Sequence, residues 1–459
     1  MLKKLIGDRR FYKHVLTLML PIMIQNGITN FVNMLDNLMV GQIGQVEMIG
    51  VSVANQLLFV FNLCIFGAVS GAGIFGAQFY GSGDTNGLRD SFRFKIVSCT
   101  ILTVIAILLF IFSGEFLINL YLKGEGSAED AAASLAAGFN YLSIMLIGLI
   151  PSTLVQCYSS TLRETGKTFP PMVAGIIAVF VNLILNYVLI FGHFGAPKLG
   201  VVGAAVATVI SRFIELAAVA VWTHKNSIEN KFIVGAYRSF KVPFELVKRI
   251  SKKGIPLMIN ETMWAGGMAF VNQCYSVVGL EVVAANNLDQ TFFNVFSVAF
   301  IAVGAAIGII LGQLLGAGEK EEAKDASVKL IAFSVFTSIS MAILFFVCAI
   351  FIPDFYKLDE STKLLATRMM QICALAFPLD AFAHSCYFTL RSGGEALITF
   401  IFDSGFVWAV SVPVAFVLCN FTNMPILPIY AICQALNIIK CFIGYTFVKK
   451  GVWIKNIVA

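Results

Sequence analysis

Long apolar stretches, separated by short polar segments, dominate the pattern of this chain. Each stretch has roughly 20 residues, enough for a helix to cross the roughly 30 Å hydrocarbon core of a bilayer. A helix also satisfies its own backbone hydrogen bonds in lipid, so the pattern predicts membrane-spanning helices. Twelve spans are predicted, over residues 14–38, 47–76, 92–113, 134–157, 168–193, 200–223, 252–277, 283–312, 327–351, 367–391, 397–418 and 425–449.

The pattern occurs twice. Residues near 14–91 align with residues near 249–326 at a constant offset of 235, and in later spans the offset settles at 228. The matched residues are Pro21 with Pro256, Asn37 with Asn272, Gly44 with Gly279, Gln78 with Gln313, Gly81 with Gly316, and Thr161-Leu162-Arg163 with Thr389-Leu390-Arg391. We therefore expect an all-α polytopic membrane protein with twelve transmembrane helices in two pseudo-symmetric six-helix lobes, an architecture typical of transporters.

The duplication also predicts the domain boundaries. Residues 1–223 form an amino-terminal six-helix lobe, 224–251 a cytoplasmic connector, and 252–459 a carboxy-terminal six-helix lobe. In the connector, apolar and basic residues alternate from Phe244 to Ile250, which predicts an amphipathic helix on the membrane surface. The other loops are short and leave no room for a soluble catalytic domain.

Composition excludes a soluble protein and charge predicts the topology. Only 13% of the residues are charged, against roughly 25% in soluble domains. The net charge of +6 comes from Lys and Arg in alternate loops, which by the positive-inside rule places both termini and the connector in the cytoplasm. The expected location is the cytoplasmic (inner) membrane, with membrane lipids as partners, no nucleic acid, and a monomeric protein. The ten Cys show no metal-binding spacing, so buried free thiols are expected.

A stripe of polar residues follows one face of the first predicted helix. Its members recur at steps of three and four and are Asn26, Thr29, Asn30, Asn33, Asp36 and Asn37. Such a stripe must face water or another polar helix. Asp36 is its one charge, and a charge at mid-membrane costs at least ~2.5–3.5 kcal/mol, which points to a function for this carboxylate rather than a structural role.

Further polar side chains in the fifth and sixth spans complement Asp36. Asn182 and Asn186 lie one helical turn apart, and the sixth span offers Thr208. A carboxylate, two amide oxygens and a hydroxyl are the oxygen ligands that a hard monovalent cation accepts. The alternative is that the amides only bond across neighbouring helices.

The second repeat carries its acids at other positions. Glu261 aligns with Asn26, whereas Asp36 aligns with Val271, so the halves share a skeleton but not their charges. Asp380 and Asp289 are further acids within predicted spans, and we interpret all three as functional groups.

Other polar and aromatic residues within the predicted spans have either a structural role or a role in substrate binding. Asp403 either caps a helix or pairs with Arg391, and Arg212 and Glu215 are spaced to neutralise each other. Aromatic side chains would suit a lipophilic cation, although packing is the alternative. The expected substrate cavity comprises Asn33, Gln290, Asn294, Trp264 and Tyr275.

These motifs together resemble the multidrug and toxic compound extrusion (MATE) family of transporters. The resemblance rests on the run 33–41 followed by Gly44, on residues 77–81, on the two Thr-Leu-Arg segments, and on Pro256 with Asn260-Glu261. It covers essentially the whole chain.

The resemblance implies a secondary antiporter that exports organic, often cationic and lipophilic compounds in exchange for Na⁺ or H⁺. The family's amino-lobe cation site maps onto Asp36, Asn182, Asn186 and Thr208, although some members carry Asp where this chain has Asn186. A carboxy-lobe acidic pair of another branch maps onto Glu261 and Asp380. No cofactor is expected, and no metal beyond Na⁺ at the amino-lobe site.

Two other classes of function compete with this interpretation. A lipid-linked oligosaccharide flippase of the same superfamily needs cationic groups in its cavity, but here Arg212 stands as the one cation deep in a span. An enzyme is not expected, because no His-Glu-x-x-His or Gly-x-Ser-x-Gly motif occurs and the four His do not cluster.

Overall fold

The computed structural model describes residues 5–122, 128–356 and 358–459 of the chain, without the side chains of Asn33, Met34, Asn37, Leu38 and Ala128. Throughout these ranges the regular structure is helical. The helices are α1 (Arg9–Gly41), α2 (Gln45–Gly81), α3 (Thr85–Leu122), α4 (Ala128–Glu164), α5 (Phe169–Phe191), α6 (Val201–Lys225), α7 (Phe244–Ser276), α8 (Leu280–Phe296), α9 (Val298–Gly316), α10 (Lys320–Phe351), α11 (Glu360–Ser392), α12 (Ala396–Phe400), α13 (Val412–Phe421) and α14 (Ile426–Lys449).

The helices coincide with the predicted spans. Within the described residues, 11 helices are long and apolar enough to cross a membrane. The remaining predicted span, 252–277, coincides to within one residue with the later part of α7, a 33-residue helix whose start carries several Lys and Arg. The predicted all-α, polytopic fold class is confirmed.

Three local features differ from the sequence prediction. The eighth predicted span is broken at Ser297, where α8 ends and α9 begins. Between α12 and α13 the chain forms two π-helical turns, Ile401–Gly405 and Val407–Ser411. The amphipathic helix predicted over 244–250 is helical but not separate, because these residues form the first turns of α7. Its position on the membrane surface stays a prediction.

The chain divides into two compact units. Of the described residues, the carboxy-terminal unit takes those within Met1–Met23, Ala77–Asp84 and Ser251–Ala459. The amino-terminal unit takes those within Ile24–Gly76 and Thr85–Ile250. The start of α1 and the end of α2, which the sequence places in the amino-terminal lobe, therefore make most of their contacts within the carboxy-terminal unit.

The core of the carboxy-terminal unit explains the placement of α1. Val15 and Leu18, on one face of its first turns, are buried together with Ile307 on α9 and Leu330 on α10. These side chains form one apolar cluster with the buried Trp453 near the end of the chain. The burial of apolar surface thus attaches the start of α1 to this unit.

A close contact between repeat-related residues lies at the ends of α2 and α9. A Cβ on Gly81 would lie 1.9 Å from the Gln313 carbonyl oxygen, and a Cβ on Gly316 would lie 2.0 Å from that of Gln78. Both distances are far below van der Waals contact, so only glycine fits at either position. The duplication seen in the sequence therefore recurs as a reciprocal backbone contact.

Candidate functional site

The amino-terminal unit brings four predicted site residues together. Asn186 on α5 donates from Nδ2 to Asp36 Oδ1 on α1, at 2.7 Å. The Asn182 amide, one turn earlier on α5, lies against the same carboxylate and against Thr208 on α6. The spacing of four residues places both amides on one face of α5, which packs beside α6.

The orientation of the Asn182 amide follows from its neighbours. When its oxygen accepts from Thr208 Oγ1 at 3.2 Å, its nitrogen donates to both Asp36 oxygens, at 3.0 and 3.2 Å. This orientation matches the amide to the acceptors of Asp36 and the donor of Thr208, although it gives up the 3.2 Å hydrogen bond that Asn186 Nδ2 otherwise donates to Asn182 Oδ1. Among the described residues, the side chains that donate to Asp36 are then neutral amides.

The cluster retains an acceptor for a further positive group. Asn186 is 1% exposed, yet its Oδ1 accepts no hydrogen bond from any described residue. Buried carbonyl oxygens are rarely left unsatisfied, because desolvation without a partner is costly. Asp36 and Thr208 are partly exposed, so a small ion can reach the cluster.

The nearest cation is already paired elsewhere. Arg212 on α6 interacts electrostatically with Asp36, but its Nη1 donates to Glu215 at 2.7 Å. This pair confirms the spacing argument made for Arg212 and Glu215. The Asp36 cluster can therefore accept a monovalent cation or a proton without displacing a resident ion pair.

In the carboxy-terminal unit, Glu261 has both a donor and a counter-ion. The Tyr387 hydroxyl on α11 donates to Glu261 Oε1 at 2.7 Å, and Arg391 Nη1 lies 3.6 Å from the same oxygen. The Tyr387 hydroxyl also accepts from Asn260, which precedes Glu261 on α7. Glu261 thus belongs to a network with its own cation.

Asp403 pairs with a residue that the sequence prediction missed. Lys440 on α14 donates from Nζ to Asp403 Oδ1 at 2.7 Å, a partner that neither sequence alternative, a helix cap or a pair with Arg391, included. The interpretation of Arg212 as the one cation deep in a span is wrong, because Lys440 lies in the middle of α14 and Lys95 is buried on α3. In the sequence, each of these lysines stands within a predicted apolar span, and this pattern could have identified them as further cations inside spans.

The two remaining predicted acids have separate partners. Asn437 on α14 donates to Asp380 Oδ1 at 2.7 Å. Tyr430, on the same helix, donates to Asp289 Oδ2 on α8. Asp380 and Glu261, expected to act as a pair, thus have different hydrogen-bond partners.

The predicted cavity residues lie in varied environments. Tyr275 is 4% exposed and its ring meets that of Tyr430 edge-on, with centroids 5.6 Å apart, so it belongs to the core. Trp264 and Asn294 are exposed and Gln290 is partly buried. The Asn33 side chain lies outside the described residues. The roles assigned to all these residues stay predictions.

Comparison with known families identifies the class of protein. The model of the MatE family matches residues 21–188 and 256–417, one match in each repeat. The chain belongs to this family of multidrug and toxic compound extrusion transporters, as its motifs indicated. It is a multi-pass membrane protein.

Named relatives and solved structures agree with this assignment. The probable multidrug resistance protein NorM of Thermotoga maritima is 26% identical and aligns with 97% of this chain and 94% of its own. The multidrug resistance protein MdtK of Pectobacterium atrosepticum is 24% identical, with 87% of this chain and 86% of its own covered. A multidrug resistance MATE family transporter solved in an outward-facing conformation superimposes with a TM-score of 0.87 at 18% identity, covering 98% of this chain and 97% of that one.

Proposed function

We propose that this protein is a multidrug exporter that works as a secondary antiporter. It exports organic, cationic and lipophilic compounds in exchange for Na⁺ or H⁺, from the cytoplasmic side of an inner membrane. The names of its relatives support the export of small organic compounds. The convergence of Asp36, Asn182, Asn186 and Thr208 supports the ion coupling, and it is the observation that carries the proposal.

The amino-terminal unit is the better candidate for the coupling ion. Among the described residues, the hydrogen-bond donors to Asp36 are amides, and the Asn186 Oδ1 atom accepts no hydrogen bond. In the carboxy-terminal unit Glu261 and Asp403 each face a resident cation, Arg391 and Lys440. An incoming ion would have to compete with those cations, whereas Asp36 forms no direct ion pair with any described residue.

The mechanism that follows is alternating access. A cation or proton at Asp36 neutralises its charge and changes the free-energy difference between inward-facing and outward-facing states. The exported compound and the ion need not touch, because it suffices that each binds one state more tightly. Pro21 and Pro256, one in each repeat, interrupt the hydrogen bonding of α1 and α7 and provide places where these helices can bend.

The proposal is tested in liposomes that contain the purified protein and a fluorescent organic cation. A Na⁺ gradient and a pH gradient are imposed separately, and transport is followed by fluorescence. One of the two gradients should drive transport in the wild type, and Asp36→Asn should abolish that dependence. Full gradient-driven transport by Asp36→Asn would refute the coupling role of this carboxylate.

The relatives named above are multidrug resistance proteins, so the alternative of an oligosaccharide flippase is not favoured. No response to either gradient, together with no transport of any organic cation, would nevertheless count against the proposed export activity.

A further inference from the structure

The ammonium group of Lys440 lies in surroundings that suit an organic ammonium ion. Its Nζ donates to Asp403 at 2.7 Å and lies 5.5 Å from the centre of the Phe402 ring. A carboxylate together with an aromatic face is a combination by which proteins bind alkylammonium groups. The Lys440 side chain is itself an alkylammonium ion, tethered to α14. We call Asp403 and Phe402 the ammonium cradle.

The cradle is held in place by groups other than Lys440. The second oxygen of Asp403, Oδ2, accepts from Asn260 Nδ2 at 3.1 Å. Asn260 is fully buried, and Ser404 fixes it by donating from its hydroxyl to Asn260 Oδ1 at 2.7 Å. Asp403 and Ser404 belong to the first π-helical turn, a distortion that recurs at functional sites. The carboxylate would therefore keep its position if the ammonium left.

Lys440 has a second carboxylate within its electrostatic range. The charges of Lys440 and Asp380 interact, and Asn437, one turn before Lys440 on α14, donates to Asp380 at 2.7 Å. A lysine side chain has a flexible four-carbon stem, so its ammonium can exchange between two nearby partners. Asp380 thus provides a place for Lys440 outside the cradle.

The surroundings of Lys440 carry more negative than positive charge. Asp289 is fully buried, and its Oδ1 accepts no hydrogen bond from the described residues. It interacts electrostatically with Asp380, which already shares Lys440 with Asp403. Lys440 thus interacts with Asp403 and Asp380, Asp380 interacts in turn with Asp289, and the nearby Arg391 is paired with Glu261. This excess of carboxylates favours a second cation.

We propose that the ammonium cradle binds the cationic group of an exported organic ammonium compound, and that Lys440 is its built-in competitor. When the ligand enters, the Lys440 ammonium moves from Asp403 to Asp380, and both cations remain paired. The Asp403 and Lys440 side chains are 14% and 13% exposed, so the carboxylate can be reached without unfolding, whereas the Phe402 ring is buried and becomes accessible as the Lys440 ammonium leaves it. This inference takes only the class of compound from the proposed function and does not depend on antiport.

The test is equilibrium binding to the purified full-length protein in lipid nanodiscs, without any ion gradient. The probe is dansylcadaverine, a fluorescent primary ammonium compound, and binding is followed by fluorescence anisotropy. Its N-acetylated form keeps the dansyl group and the alkyl chain but has no ammonium charge, and it serves as the uncharged comparison ligand. Lys440→Met should raise the affinity for dansylcadaverine about tenfold, and Asp403→Asn should lower it about tenfold. Neither variant should change binding of the acetylated form.

A matched control comes from the other unit. The double variant with Lys95→Met and Glu164→Gln removes a buried lysine–carboxylate pair from the amino-terminal unit and should leave dansylcadaverine binding unchanged. Unchanged or weaker binding by Lys440→Met would overturn the inference, and so would wild-type affinity in Asp403→Asn.

A second set of variants covers the case in which Lys440→Met does not fold. Lys440→Arg keeps the competitor and binds the carboxylate through two donors, so dansylcadaverine should bind more weakly than in the wild type. The double variant with Lys440→Met and Asp403→Asn removes both charges and should also bind weakly; wild-type affinity in this variant would overturn the inference. If gradient-driven transport fails but dansylcadaverine still binds at the ammonium cradle, the result counts against the proposed antiport and not against this inference.

Discussion

Asn186 and Asp36 are 150 positions apart in the chain, yet the amide nitrogen of one donates to the carboxylate of the other at 2.7 Å. This contact joins the polar stripe of α1 to the polar face of α5. The contact is asymmetric, since the amide nitrogen of Asn186 donates to Asp36 while its Oδ1 accepts no hydrogen bond from the residues that the structure describes. The cation preference of the cluster should therefore respond to substitution at position 186.

Asn186→Asp should tighten the binding of monovalent cations. It replaces an amide donor by a second carboxylate beside Asp36, and two such carboxylates repel each other unless a cation or proton lies between them. We expect about a tenfold increase in Na⁺ affinity, equivalent to about 1.4 kcal/mol. The measurement is the rise in melting temperature with Na⁺ at constant ionic strength. Asn186→Leu should abolish that rise, and an equal rise in both variants would argue against an ion site here.

Gly316→Ala should destabilise the protein, because the new methyl group meets the Gln78 carbonyl. The Cβ position is 2.0 Å from that oxygen, so the ends of α2 and α9 must separate. Overpacking of this kind costs about 1–3 kcal/mol, and we expect a lower melting temperature. Gly81→Ala should behave alike.

Gly27→Ala is the control for this pair of substitutions. A Cβ at Gly27, inside α1, has no atom within 4 Å, so the variant should be neutral or stabilised by up to about 1 kcal/mol. Equal melting temperatures for Gly27→Ala and Gly316→Ala would contradict the close approach of the two helices.

Lys95→Met should be among the most destabilising single substitutions in the amino-terminal unit. Lys95 Nζ lies 2.6 Å from both oxygens of Glu164, and the lysine side chain is fully buried. Removing one partner of a buried pair costs about 3–5 kcal/mol, because the other charge stays desolvated. Thermal unfolding in detergent measures the loss. Adding Glu164→Gln should restore most of the stability, and no restoration would show that the lysine acts through packing alone.

Glu261→Gln should preserve the coupling to the ion gradient. Its carboxylate already faces Arg391 at 3.6 Å and accepts from Tyr387, so its charge is compensated within the protein. We expect gradient-driven transport to fall by less than about threefold, equivalent to less than ~0.7 kcal/mol in barrier terms, whereas Asp36→Asn abolishes it. The assay is transport in liposomes under the gradient that drives the wild type. Complete loss in Glu261→Gln with retention in Asp36→Asn would move the coupling to the carboxy-terminal unit.

The sequence was sufficient to predict the helical architecture and the duplication, since both follow from apolar run length and constant offsets. It also predicted the amino-terminal cluster, because Asn182 and Asn186 lie one turn apart and the family resemblance supplied Asp36 and Thr208 as their partners. Helical periodicity shows which side chains share a face of their own helix. Here the polar face of α1 meets the polar face of α5, so the two predictions could be combined.

Contacts between distant helices could not be predicted in the same way. Nothing in the local pattern shows that Lys440 meets Asp403, because the partner of a buried charge depends on how the helices pack. The π-helical turns that position Asp403 are also invisible to a 3.6-residue periodicity. The placement of the start of α1 in the carboxy-terminal unit depends on its apolar face finding α9 and α10, which is a property of the tertiary core.

We propose above that an ion at Asp36 weakens the binding of an organic cation, because the two ligands favour different conformations of the protein. The most direct measurement is the affinity for a fluorescent organic cation in nanodiscs, titrated against Na⁺ at constant pH and against pH at constant Na⁺. In the wild type one of these ions should weaken binding about 5- to 150-fold, the usual range of coupling between linked sites, and Asp36→Asn should remove that effect. An equal dependence in Asp36→Asn, or no dependence on either ion in the wild type, would contradict the account.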